Sequence, residues 1–159
     1  MASVLFVCTG NMYRSPIAAE IFRNLLQQNG QHTRWQVGSA GTWTTEGRLA
    51  PNDAIEIARS FGINLGTHQT RMVNKKMLEE VDLIIVMEEG HKEALQVEFP
   101  FAQNKTHLLS YVTQGVNYDI ADPASARGET RTILQEMANM IRAGYANIYK
   151  LAEYESDIR

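Results

Sequence analysis

The chain has 159 residues, 44% of them hydrophobic and 21% charged, which fits one globular domain with a sizeable core and excludes a disordered or fibrous chain. Its formal charge of −3 excludes the basic face of a general nucleic-acid or anionic-membrane binder, so any anionic ligand must be drawn by a local site. A single cysteine leaves no partner for an internal disulfide and too few ligands for a multi-cysteine zinc site, which suits a reducing cytoplasm.

No run approaches the length of a membrane span, and "MASVLFV" lacks a basic stretch ahead of its short apolar run, so neither a spanning helix nor a secretory leader is expected. "VLFV" (Val4 to Val7) reads as a buried strand. After a short loop a helix begins, with Ser15 expected as N-cap, Pro16 as the first helical residue, and Ile17, Ile21 and Leu25 on one face. "RWQVGSAGT" is a second strand followed by a glycine turn, and "PNDAIEIARSFG" an amphipathic helix ended by Gly62. A shorter helix follows from Asn74 to Glu80, with Asn74 as its cap, and then the most strand-like run of the chain, "VDLIIVM" (Val81 to Met87).

"EGHKEALQVEF" reads as helix and "KTHLLSYV" as a fourth strand. The Gly/Pro-punctuated stretch from Thr113 to Gly128 reads as loop. Ile133, Met137, Ile141, Tyr145 and Ile148 form the stripe of a long last helix. Strands alternating with helices predict one α/β domain over residues 1–159: a three-layer sandwich whose central four-stranded parallel sheet carries helices on both faces, flavodoxin-like or Rossmannoid in kind. In such sheets ligands bind beyond the carboxyl ends of the strands. The loop after the first strand occupies that position.

That loop is "CTGNMYRS", Cys8 to Ser15. A loop entering a helix turns several backbone N–H groups toward one point and adds the positive end of the helix dipole, which makes an anion cradle. Gly10 is expected to supply backbone freedom, and Arg14 to reach back across the cradle and grip two oxygens of a phosphate-like anion. The same donors favour a thiolate at Cys8. A thiolate beneath a bound phosphate monoester is placed for in-line attack on phosphorus, with the loop amides and Arg14 stabilising the equatorial oxygens. No metal or other cofactor is required. The leaving alkoxide needs a proton, so a general acid must stand elsewhere. Against this reading, a lone cysteine beside a strand is commonly inert core, and Cys-x5-Arg alone is a weak pattern; the strand before it, the Gly and Asn within it and the Ser-Pro after it make it specific.

With those features in place, "VCTGNMYRSP" resembles the phosphate-binding loop of low-molecular-weight protein tyrosine phosphatases. The resemblance continues in order through "SAGT" (Ser39 to Thr42), "APNDAIEIARSFGINLGTHQTR", "VDLIIVME" and "DIADPASARGE". It implies Cys8 as nucleophile, Arg14 as phosphate clamp and Asp122 as the general acid that later activates water. It further implies that Asn11 shapes the loop with support from Ser39 and His68, that Ser15 donates to the sulfur, and that Thr9, Gly10, Met12 and Tyr13 line the phosphate. Taken alone, Asp122 before Pro123 is an ordinary turn signal and His68 an ordinary loop histidine. His32, His91 and His107 show no metal spacing and have no assigned role.

Departures from the pattern matter. Tyr13 stands where many members of that family have a second cysteine, so oxidised Cys8 would depend on outside thiols for recovery. The missing thiols also argue against thioredoxin-coupled arsenate reductases, which share this loop. Ala124 and Ser125 replace the aromatics that commonly wall the substrate ring; Met12 and Trp43 are candidates to supply apolar contact instead, or are simply packing. The expected substrates are phosphotyrosine in a protein or peptide and small aryl phosphates, with phosphate as product and inhibitor, no nucleic-acid or membrane partner, and a monomer or weak dimer. Two alternatives stay open: an arginine phosphatase, and a non-hydrolysing phosphate-binding or redox-sensing module.

Overall fold

Alternation along the first strand sets the layering. β1 (Ala2–Cys8) is buried along its whole length, with Val4, Phe6 and Cys8 in one hydrophobic cluster and Leu5 and Val7 in another on the opposite face. A strand buried on both sides needs a helical layer on each. The computed structural model describes residues 1–125 and 129–159. Among them, α1 (Arg14–Gln28), α2 (Asn52–Ser60), α5 (Leu109–Gln114) and α6 (Thr130–Asp157) contribute to the first cluster. α3 (Lys75–Glu80) and α4 (Glu89–Glu98) contribute to the second.

The sheet between these layers contains β1, β2 (Trp35–Gly41), β3 (Leu83–Val86) and β4 (Thr106–Leu108), all parallel, in the order β2-β1-β3-β4. The chain winds outward to one side of β1 through β2 and to the other through β3 and β4. The switch point therefore lies between β1 and β3, and in such sheets ligands bind outside the carboxyl ends of the strands at that point. The loop after β1 and the start of α4 after β3 flank it.

The stripe on α6 packs as its spacing predicts: Ile133, Met137, Ile141 and Ile148 are all buried, each worth about 1.5–3 kcal/mol of transfer energy. Asn74 caps α3 by accepting the Met77 N–H at 2.9 Å. Gly62, which follows α2, has φ +80 and takes the left-handed turn that stops the helix.

Several boundaries differ from expectation: β1 is longer than Val4 to Val7, β3 is shorter than Val81 to Met87, and two others change the packing or the site. α1 starts at Arg14 with Tyr13 as its N-cap, so Ser15 is not the cap and Pro16 is the third helical residue rather than the first. Proline is still tolerated there, because the first four N–H groups of a helix have no intrahelical partner. The hydroxyl of Ser15, released from capping, serves the loop. The expected fourth strand "KTHLLSYV" ends at Leu108, and Leu109 begins a helix. Leu109 and Val112 stand three apart and are buried in the cluster that α6 lines; a short apolar run satisfies either period, and packing against α6 selected the helical one. The expected loop from Thr113 to Gly128 therefore begins after Gln114, and its end, residues 126–128, lies outside the described residues.

Candidate active site

The loop leaves β1 and folds back against the end of β2. The Cys8 carbonyl accepts the Thr42 N–H at 2.9 Å and the Thr9 carbonyl accepts the Trp43 N–H at 3.0 Å. Gly41 permits this approach: a Cβ there would sit 2.5 Å from the Thr9 carbonyl oxygen and 3.2 Å from the Asn11 Cβ. The residue that takes the left-handed conformation is Asn11, φ 58, and not Gly10. Gly10 does not supply the strained backbone, because asparagine tolerates that region and uses its side chain to hold it.

Asn11 is completely buried, and its amide is satisfied on every side. Nδ2 donates to Ser15 Oγ at 2.9 Å and to Ser39 Oγ at 3.0 Å, and Oδ1 accepts the Arg71 N–H at 3.0 Å. The Asn11 carbonyl is 2.7 Å from His68 Nε2. A carbonyl only accepts, so that nitrogen carries the ring proton. Burial pushes the His68 pKa down, the hydrogen bond to Asn11 opposes this, and the nearby Arg71 charge adds to it.

Ser15 Oγ lies 3.0 Å from Cys8 Sγ and 3.3 Å from the Ala40 carbonyl. The hydroxyl has one proton and two places to send it. With a thiol at Cys8, the S–H donates to Ser15 and Ser15 donates to Ala40; with a thiolate, Ser15 turns its proton to the sulfur. Both ionisation states of the Cys8 sulfur are thus accommodated without moving a heavy atom.

Arg14 is 2% exposed. Nη1 donates to Glu88 Oε2 at 2.8 Å and to the Ile120 carbonyl at 2.7 Å, which uses both of its protons. The remaining edge of the guanidinium, Nη2 and Nε, is the edge available to an oxyanion. Asp122 Oδ2 stands 3.9 Å from Nη2. The other carboxylate oxygen, Oδ1, accepts the Ala124 N–H at 3.0 Å in a local turn. The ordinary turn role of Asp-Pro and an orientation toward the guanidinium are therefore both realised, one on each oxygen.

The other expected residues fall in different places. Thr9 Oγ1 is 2.8 Å from His91 Nε2. Tyr13 donates its hydroxyl to Asp53 Oδ1 at 2.8 Å; burial, that bond and the charges of Asp53 and Asp122 push its pKa up to about 12, so the phenol stays protonated. Met12 is half-buried, whereas the Trp43 ring is 83% exposed beside the loop and is not core packing. Glu88 and His91 are at the site without having been expected there, and Gly41 has a role that "SAGT" did not disclose. No described helix is long and apolar enough to cross a membrane.

Fold and loop together define a class: a doubly wound α/β protein with a Cys-x5-Arg loop at the carboxyl end of its first strand. Residues 3–156 match the family described as low molecular weight phosphotyrosine protein phosphatase, and the chain belongs to it. It is 36% identical to a putative low molecular weight protein-tyrosine-phosphatase of Klebsiella pneumoniae over 122 residues, 77% of this chain and 79% of the relative. It is also 32% identical to a protein-arginine-phosphatase of Geobacillus stearothermophilus over 147 residues, 87% of this chain and 95% of the relative. Among solved structures, a Cys-to-Ser variant of the YwlE arginine phosphatase with a phosphorylated active-site serine superimposes with a TM-score of 0.82 at 25% identity, covering 89% of this chain and 91% of that one.

Proposed function

We propose that the protein hydrolyses phosphotyrosine in proteins or peptides, and small aryl phosphates, through a phosphocysteine at Cys8. The observation that carries this reading is the convergence at the carboxyl end of β1. Cys8 Sγ has a hydroxyl at 3.0 Å, and Arg14 Nη2, which has no hydrogen-bond partner among the described residues, stands 3.9 Å from Asp122 Oδ2.

The Cys8 thiolate attacks phosphorus as the bond to the leaving oxygen breaks, and the Asp122 carboxyl gives its proton to that oxygen. The loop amides and the Nη2–Nε edge of Arg14 hold the equatorial oxygens. Asp122, now a carboxylate, takes a proton from water; the water oxygen attacks phosphorus, the P–S bond breaks, and Cys8 leaves as a thiolate that the Ser15 hydroxyl stabilises. Inorganic phosphate is the product and a competitive inhibitor. The phosphorylated serine of the YwlE variant supports covalent transfer to this position. Met12 and the exposed Trp43 offer the apolar contact that the acid loop's Ala124 and Ser125 lack. We place the enzyme in the cytoplasm, acting as a single domain, monomeric or weakly dimeric, on phosphoproteins rather than on nucleic acids or membranes.

The arginine-phosphatase relative supports a second substrate, phosphoarginine. Rates on matched phosphotyrosine and phosphoarginine peptides in the presence of a chelator decide between them. A phosphotyrosine rate at least tenfold higher is expected, and the reverse ratio would reassign the substrate. Tight phosphate binding with turnover of neither would instead indicate a binding module.

A further inference from the structure

α4 begins where β3 ends, across the switch point from the phosphate-binding loop, and its first turn is closed by a reciprocal pair. The Glu88 carboxylate accepts the backbone N–H of His91, and His91 Nδ1 accepts the backbone N–H of Glu88 at 3.1 Å. Such boxes ordinarily use Glu or Gln at the third helical position. A histidine does the same capping with one ring nitrogen and keeps a second nitrogen for other work. Because a backbone N–H only donates, Nδ1 is unprotonated and the ring proton sits on Nε2. Nε2 is 2.8 Å from Thr9 Oγ1, so His91 donates to the residue directly after the nucleophile. Glu88 Oε2 meanwhile accepts from Arg14 Nη1 at 2.8 Å. One helix start thus grips the loop at both ends.

We propose that Glu88 and His91 are positioning residues for the phosphate site: Glu88, with the Ile120 carbonyl, rotates Arg14 so that its Nη2–Nε edge meets the anion, and neutral His91 fixes Thr9 and the loop's first turn. Neither touches the reacting atoms. The charged groups facing His91 are Arg14, Glu88, Asp119 and Asp122. Burial and then Arg14 push its pKa down to about 4 against the three carboxylates, which agrees with the neutral ring that the backbone contact at Nδ1 demands. The Glu88 charge would by itself repel a phosphate, so its contribution must come through orientation of the guanidinium. The inference deepens the phosphatase reading and rests on it.

The test uses the full chain with Glu88→Ala, Glu88→Gln, His91→Leu and His91→Gln, following kcat and KM on an aryl phosphate, inorganic phosphate binding by calorimetry, and melting temperature. Glu88→Ala should lower kcat/KM about 10–100-fold and weaken phosphate binding about tenfold, with Glu88→Gln recovering most of both. In an Arg14→Lys background the same Glu88 change should cost less than about twofold, since the group it orients is gone. His91→Leu should lose roughly tenfold and His91→Gln, which keeps an N–H donor, less than about threefold. Nitrogen NMR should find His91 as the Nε2–H tautomer at neutral pH. The proposal is overturned by folded Ala and Leu variants with unchanged kcat/KM and phosphate affinity, by tighter phosphate binding in Glu88→Ala, by a full multiplicative loss in the Arg14→Lys background, or by an Nδ1–H or doubly protonated ring. Should Glu88→Ala fail to fold, Glu88→Gln carries the same cycle, with a several-fold loss expected alone and none in the Arg14→Lys background. A wild-type chain that binds phosphate but turns over no phosphoester would defeat the phosphatase reading, while the phosphate affinities would still decide this one.

Discussion

The loop from Cys8 to Ser15 and the segment from Asp119 to Ser125 meet at the Arg14 guanidinium, yet the first is braced along its length and the second only at its start. The first is braced from outside itself, by β2 through Thr42 and Trp43, by Ser39, by His68 and by Arg71. The second is tethered through Asp119 and Ile120, to the Glu89 and Arg14 donors. Beyond Ile120 the described part of the segment makes only local turn bonds, from Ala124 and Ser125 back to Asp122. The Asp122 side chain is 37% exposed, against 2% for Arg14. The difference matches the two tasks proposed for them. Holding a tetrahedral anion demands donors fixed in advance, whereas a group that serves first a leaving oxygen and then water needs access to both.

That contrast can be broken at four points. The largest effect should come from the braced side: Arg14→Ala removes a bidentate clamp and should lower kcat/KM by at least about a thousandfold on every substrate, whatever its leaving group. Next, Asp122→Ala should cost about 10²–10³ on aryl phosphates with poor leaving groups and less than about tenfold on good ones, because only the former need the proton. A uniform loss across leaving groups would take the acid role away from Asp122. Third, Asn11→Ala should lower stability by about 3 kcal/mol, since it strands the Arg71 N–H and two buried hydroxyls and leaves alanine in a left-handed conformation. Chemical denaturation checks this, and a comparable change at Asp122 should move stability by less than about 0.5 kcal/mol.

The smallest effect is a pH dependence. His91 binds its proton more weakly in the folded chain, about 4, than in the unfolded one, about 6.5. Its contribution is therefore complete above the unfolded value and is lost as pH falls through 6.5 toward 4. His68, also pushed down by burial, acts in the same direction. The unfolding free energy from chemical denaturation should fall less steeply between pH 7 and 4 in His91→Gln than in the parent, by on the order of 2 kcal/mol over that window. Parallel pH profiles would show that His91 is not held neutral.

The braced loop was legible because its chemistry is contiguous: Cys8, Asn11, Arg14 and Ser15 lie within eight residues between a strand and a helix. The supports Ser39 and His68 were reached through resemblance, and geometry places both on Asn11. Glu88 and His91 escaped because nothing local marks them as site residues. They become neighbours of the loop only when β3 is laid beside β1, and strand order is not written in either run. A signal existed, since Glu88 and His91 stand three apart directly after the strongest strand, in the position of a capping pair. Sequence points to Gly10 for the left-handed backbone that Asn11 adopts, because glycine is the usual left-handed residue and the compensating bonds of an asparagine come from distant segments. The fourth strand reads too long for a related reason: whether Leu109 continues a strand or starts a helix depends on α6, far along the chain.

The central claim is that the sulfur of Cys8 takes the phosphoryl group. Mixing the protein with an aryl phosphate, quenching in acid within the first turnovers and mapping the adduct by mass spectrometry tests it most directly. The account predicts a phosphate on the peptide containing Cys8, with Cys8→Ser accepting phosphate once and releasing it far more slowly. Turnover that continues in Cys8→Ser, or a phosphate found on another residue, would contradict it.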